Sequence, residues 1–203
     1  MIRFAMALAM LAAAPAAALQ PTVTPSSASQ LVQVQLMTGQ GSIMVEVDNG
    51  RAPITAANFL RYVDEKRFDG TSFYRAVKVG DGYGLLQGGT RNDPKRTLKP
   101  IAHEPTTSTG LSHRDGAIAM ARAEPGTASG DFFIVIGDLT SMDADPTAAD
   151  DNQGYAVFGR IVGGMELVRQ LLLAPTSPTE GEGAMKGQML SPVIPIVTAR
   201  RTN

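Results

Sequence analysis

The chain has 203 residues, no cysteine, no tryptophan and a formal net charge of −1, with 18 Lys and Arg against 19 Asp and Glu. That length suits one domain with a full core, and the balanced charge leaves no clustered basic footprint for nucleic acid. Without cysteine, disulfides, zinc–thiolate sites and cysteine nucleophiles are excluded.

Met1-Ile2-Arg3 leads into an unbroken apolar run over residues 4–14, which Pro15 ends and Ala16-Ala17-Ala18 follows. A charged start, a short apolar segment and a small-x-small site form the pattern of a cleaved secretory signal. The run is shorter than the about 20 apolar residues that a permanent span needs. Residues 1–18 are therefore expected to be a signal peptide, giving an exported protein, periplasmic or secreted, without a stable membrane anchor. Residues 19–30, rich in Pro, Ser and Thr, read as a flexible linker. Residues 31–203 form the folded domain.

Within that domain the hydrophobic period is first two. Residues 31–37 alternate, Thr38-Gly39-Gln40-Gly41 turns, and residues 42–47 alternate again, a hairpin signal. Pro53 opens a helix, where proline is tolerated in the first turn, and the apolar face of that helix runs to Glu65 through Ala57, Phe59, Leu60, Tyr62 and Val63. Strand-like runs follow at 72–77, 83–87, 116–120, 132–136 and 156–161, with 80–84 and 180–187 read as loops. Met165, Val168, Leu171 and Leu172 give helical spacing over 164–173, and residues 193–199 form a last strand. Eight strands and two helices, one early and one late, predict a mainly β domain: a closed antiparallel barrel capped at its ends, because closure removes exposed edges.

Five short words stand in order along this frame: Ser72-Phe73-Tyr74-Arg75, Leu86-Gln87-Gly88-Gly89, Ala119-Met120-Ala121-Arg122-Ala123, Gly130-Asp131-Phe132-Phe133-Ile134 and Gly154-Tyr155-Ala156-Val157-Phe158-Gly159. In this order they resemble the core of a cyclophilin-type peptidyl-prolyl cis-trans isomerase, a likeness covering about residues 31–200. The resemblance implies an eight-stranded barrel and an isomerase that works without cofactor or metal. Its substrates would be proline-containing polypeptides, its role assistance to folding, and its state monomeric.

An X-Pro bond turns over a barrier of about 18–20 kcal/mol, in tens to hundreds of seconds. Reaching about 10³ s⁻¹ takes roughly five decades, or about 7 kcal/mol. Twisting the amide leaves a lone pair on the prolyl nitrogen, so a guanidinium beside it stabilises the twisted state more than the planar one. By resemblance Arg75 holds that position, Phe133 is the floor of the proline pocket, and Gln87 orients the arginine and contacts the substrate backbone. Leu85, Met142 and Tyr155 match pocket walls, with Met120 as adjoining core. Ala121, Arg122 and Ala123 match the segment along which the peptide lies as an added strand.

The chain departs from the family at several places. Arg122 stands where many members have asparagine, and Tyr155 replaces a histidine. Asp131 replaces a glutamine, which predicts a carboxylate paired with Arg75. The rim tryptophan of many members is missing, and the link over residues 78–84 is longer than usual. A second reading stays open: a cyclophilin-fold binding or chaperone module with little turnover. Asp143, Asp145, Asp150 and Asp151 do not follow a calcium-loop spacing, and His103 and His113 do not follow a metal-ligand spacing.

Mass spectrometry of the protein recovered from its native cell should find a mature chain starting near Leu19 in a non-cytoplasmic fraction. An intact Met1 in the cytoplasm would contradict the export reading.

Overall fold

The computed structural model describes residues 30–148 and 152–202; the expected signal peptide and nearly all of the linker lie outside them. The strands are β1 (Leu31–Thr38), β2 (Gly41–Asp48), β3 (Thr71–Gly80), β4 (Tyr83–Gly89), β5 (Ala117–Met120), β6 (Asp131–Ile136), β7 (Val157–Gly163), β8 (Thr176–Ser177) and β9 (Met189–Thr202). The helices are α1 (Pro53–Asp64), α2 (Thr106–Thr109) and α3 (Met165–Leu172).

The strand order is β1-β2-β7-β5-β6-β4-β3-β9, with β9 pairing back onto β1 and every pairing antiparallel. This is the closed eight-stranded barrel the sequence predicts, with β8 a two-residue addition beside β9. Among the described residues there are three α-helices rather than two. The extra one, α2, is a single turn of Thr-Thr-Ser-Thr with no apolar period to announce it. The last strand is also twice the predicted length. It serves two neighbours in turn, β3 through Met189–Ile196 and β1 through Ile196–Thr202. Pro192 and Pro195 hide its first half, since proline cannot donate to a ladder.

Phe73, Phe132 and Phe158 project inward and meet Phe59 of α1 and Phe68 just after it. Phe132 stands edge-on to Phe59, Phe68 and Phe73 at ring-centroid distances of 5.5, 5.3 and 5.9 Å, a favoured geometry for aromatic pairs. Tyr62 stacks on Phe68 at 5.1 Å, and its hydroxyl accepts from the Leu98 backbone N–H at 2.7 Å. α1 has no capping side chain of its own at its start. Glu104 supplies one from a distance, accepting from the backbone N–H of Ile54 and Thr55 and from the Thr55 hydroxyl at 3.1, 2.7 and 2.7 Å. A carboxylate there answers both the orphan donors and the positive helix end. α3 closes the other end, burying Val168, Leu171 and Leu172.

The long link over residues 78–84 is mostly strand. β3 and β4 extend as a ribbon to a two-residue turn at Asp81-Gly82, so the loop read over 80–84 shrinks to its tip.

Phe132→Ala should cost about 3–5 kcal/mol in chemical denaturation, the range for emptying a buried aromatic site. A loss under about 1 kcal/mol would show that the aromatic cluster does not hold the barrel.

Candidate active site

Register places the expected site residues in one row across the outer face of the barrel. Arg75 pairs with Gln87, Gln87 with Phe133, Phe133 with Ala119, and Ala119 with Val157. Alternation sends Phe132 inward and Phe133 outward. The strand pairing of β3 with β4 is irregular between Phe73 and Arg75, so Tyr74 and Arg75 stand opposite one partner residue, Gln87. A bulge of this kind re-aims a side chain and is common beside active sites.

The polar contacts follow from that bulge. Gln87 Nε2 donates to the Tyr74 hydroxyl at 2.8 Å, and Gln87 Oε1 accepts from Arg75 Nη1 at 2.9 Å. The glutamine carboxamide thus has its orientation set from both ends. Arg75 Nε and Nη2 donate to Gln188 Oε1 at 2.9 and 2.7 Å. These three bonds use three of the five guanidinium N–H groups, leaving one on each terminal nitrogen. Burial lowers the Arg75 pKa, with the Tyr74 and Tyr155 phenols opposing the shift.

Gln188 had no signal in the sequence. It lies 113 residues from Arg75, in a polar loop outside every periodic segment.

Asp131 differs from its expected place. Among the described residues none of the Arg75 bonds goes to it; Tyr74 and Gln87 stand between. Its side chain turns toward the loop after β4, and the residue is 8 % exposed. There its carboxylate accepts from the Arg91 backbone N–H at 2.7 Å, with the Asn92 backbone N–H and the Tyr74 hydroxyl close by, while the Thr90 N–H donates to the Gly130 carbonyl at 3.2 Å. Arg91 and Asn92 have φ of +52° and +56°, and successive N–H groups in such a turn form an anion-binding concavity. Burial raises the Asp131 pKa while these N–H groups and Tyr74 pull it down. Asp131 thus holds the loop after β4 and is not the ion-pair partner of Arg75. Gly89, at φ +130°, allows the approach; a Cβ there would come within 2.3 Å of the Gly130 carbonyl oxygen.

Around Phe133 lies a second apolar cluster, separate from the barrel interior. Ala117, Ala119, Val135, Leu139 and Val157 are buried with it, and Leu85, Ala121, Met142 and Tyr155 are partly buried around it. Tyr155 stands edge-on to Phe133 at 5.4 Å. The structure therefore brings Leu85, Met142 and Tyr155 to one apolar site with Phe133. Ala121 continues from β5, its N–H donating to the Asp131 carbonyl at 2.9 Å, and the exposed Ala123 follows. The Arg122 guanidinium lies over the Tyr155 ring at 5.0 Å and donates to the Gly154 carbonyl, with Nε at 2.9 Å. Arg122 thus clasps the wall residue.

The chain is similar to known proteins over most of its length. The family described as cyclophilin type peptidyl-prolyl cis-trans isomerase/CLD matches residues 32–198. A peptidyl-prolyl cis-trans isomerase of Acinetobacter baylyi is 38 % identical over 148 residues, covering 71 % of this chain and 73 % of that protein. Isomerase B of Escherichia coli is 31 % identical, covering 68 % of this chain and 82 % of its own. Among solved structures, a Cryptosporidium parvum cyclophilin crystallised in the presence of the dipeptide Ala-Pro superposes with a TM-score of 0.67. It is 22 % identical, covering 84 % of this chain and 99 % of its own, a likeness of fold.

Behind the floor of this site sits His113, fully buried and stacked on Phe133 at 5.9 Å with 9° between the rings. Asp143 accepts from the Ser112 hydroxyl, the His113 N–H and His113 Nδ1 at 2.5, 2.9 and 2.6 Å. This ties the segment bearing Met142 to the stretch that leads into β5. Burial lowers the His113 pKa from 6.5, although Asp143 acts in the opposite direction. The unfolded chain therefore takes up a proton that the folded chain refuses, and His113 stability is present above about pH 6.5 and declines below it. Thermal melts between pH 7.5 and 5.5 should show falling stability, with a shallower fall in His113→Asn. An equal slope in the two proteins would contradict this assignment.

Proposed function

The chain belongs to the cyclophilin-type peptidyl-prolyl cis-trans isomerase family, and from that premise we propose that Arg75 drives the isomerisation by stabilising the twisted X-Pro amide above the Phe133 floor. The observation that carries the reading is the row itself: a half-buried guanidinium fixed by Gln87, which stands between it and the apolar floor at Phe133.

The chemistry follows from the groups present. The proline ring packs on Phe133 among Leu85, Met142 and Tyr155, and the preceding residues run along Ala121, Arg122 and Ala123 as an added strand. As the amide twists, resonance is lost and the nitrogen gains a lone pair. The two remaining N–H groups of Arg75 meet that lone pair, and arginine suits the task because it stays charged and planar. The planar ground state has no such lone pair, so the stabilisation is differential, which alone lowers the barrier. No bond is made and no proton moves.

The substrates in this reading are exported polypeptides that contain proline, and the role is assistance to their folding outside the cytoplasm as a monomer. The export part rests on the charged and apolar pattern of residues 1–18.

Arg75→Ala should stay folded by circular dichroism and lose isomerase activity on a short proline peptide by about 10²–10³, the scale of one preorganised electrostatic donor. Arg75→Lys should rescue little, since it lacks the fork. A folded Arg75→Ala protein with near wild-type activity would overturn the mechanism. Intact binding of unfolded protein with no turnover in the wild type would favour the chaperone-module reading.

A further inference from the structure

Two of the three bonds on the Arg75 guanidinium come from Gln188, and neither the family resemblance nor the motif that contains the arginine assigns this residue a part. We propose that Gln188 is a positioning residue for the isomerisation, holding the guanidinium from the side opposite Gln87 as the second half of an uncharged clamp. The inference rests on the reading of Arg75 given above.

The backbone delivers Gln188 to this place. Its carbonyl accepts from the Ala76 N–H at 3.0 Å, directly after Arg75, and its N–H donates to the Met185 carbonyl at 3.1 Å. The next residue, Met189, pairs with Arg75 in the β3–β9 ladder. Before it, the chain closes on itself between Glu180 and Gly187 through an N–H to carbonyl bond of 3.0 Å. Gly181 permits that closure at φ +91°, where a Cβ would sit 2.4 Å from the Met185 carbonyl oxygen. The loop between β8 and β9 is thus shaped locally, and its last residue lands beside the arginine. β3 lies between β4 and β9, so Arg75 has one glutamine on each flank.

The chemistry of the clamp matters as much as its position. A half-buried guanidinium held by a carboxylate would share its charge with that partner, since the attraction of close opposite charges is strong away from water. Two carboxamide oxygens accept its N–H groups without adding net charge. The guanidinium is therefore held in place while its positive charge stays available to the prolyl nitrogen. Geometry of this kind is valuable because a small misplacement near reacting atoms can cost up to about 10²-fold.

The test compares wild type, Gln188→Ala, Gln188→Glu, Arg75→Ala and the double variant Arg75→Ala/Gln188→Ala, each by kcat and KM on a short proline peptide with folding checked. Gln188→Ala should lower kcat about tenfold with little change in KM. Gln188→Glu keeps the shape and adds a charge. Its kcat should be depressed at neutral pH and recover relative to wild type in acid, as the new carboxylate is protonated. Burial raises the pKa of the nearby Tyr74 phenol, which stays neutral in that range, and the wild-type profile corrects for Asp131 and His113. The double variant should be no slower than Arg75→Ala alone, because Gln188 acts through the arginine. A slow Arg75→Ala protein beside Gln188 variants within twofold of wild type, with no acid recovery, would overturn the positioning role alone. An Arg75→Ala protein of normal activity would overturn the arginine mechanism on which it rests.

Discussion

Closing a sheet into a barrel gives every strand two neighbours at fixed registers, and the site depends on that constraint. β9 turns from β3 to β1 to complete the ring. Once it does, Arg75, Gln87 and Phe133 fall in line, because each neighbouring pair is directly opposite in its ladder. The same closure turns one face of each strand inward. Phe132 belongs to the aromatic core and Phe133 to the outer cluster. One residue stabilises the barrel and the next shapes the site, and an open sheet with a slipped register would exchange their roles.

The second theme is the handling of charge. The only cation in the row is Arg75, and both of its side-chain partners are carboxamides. The carboxylate of Asp131 makes no bond to Arg75 and instead accepts from the backbone N–H of Arg91 in a left-handed turn. The bond from Gln87 to the Tyr74 hydroxyl orients the carboxamide without placing a negative charge against the guanidinium. This matches what the proposed arginine mechanism requires, in which the developing lone pair finds the positive charge unshared. The walls are fastened in the same manner: Arg122 holds Tyr155 by its ring and Gly154 by its carbonyl, and Asp143 secures the segment of Met142.

Much of this was legible in the sequence because it is written in local patterns. The alternating strands, the helix opened by Pro53 and the words around Arg75, Gln87 and Phe133 each occupy a few consecutive residues. What escaped depends on distant pairing. Gln188 sits in a polar loop, and only the β3–β9 ladder brings it to Arg75. Asp131 was expected to pair with Arg75 because, by resemblance, it stands where the family has a glutamine. The bulge at Tyr74, invisible without the partner strand, inserts a side chain between them. The length of β9 was masked by its two prolines, and α2 by the absence of any apolar residue.

The central claim is that the positive charge of Arg75, and not its bulk or hydrogen bonds alone, lowers the barrier to amide twisting. Replacing Arg75 with citrulline during synthesis removes the charge and keeps the length, planarity and most of the donors. The measurement is kcat/KM for a short proline peptide, beside the affinity of that peptide for both proteins. A fall of about tenfold or more in kcat/KM with unchanged affinity is the predicted result. A citrulline protein that isomerises the peptide at the wild-type rate would contradict the claim.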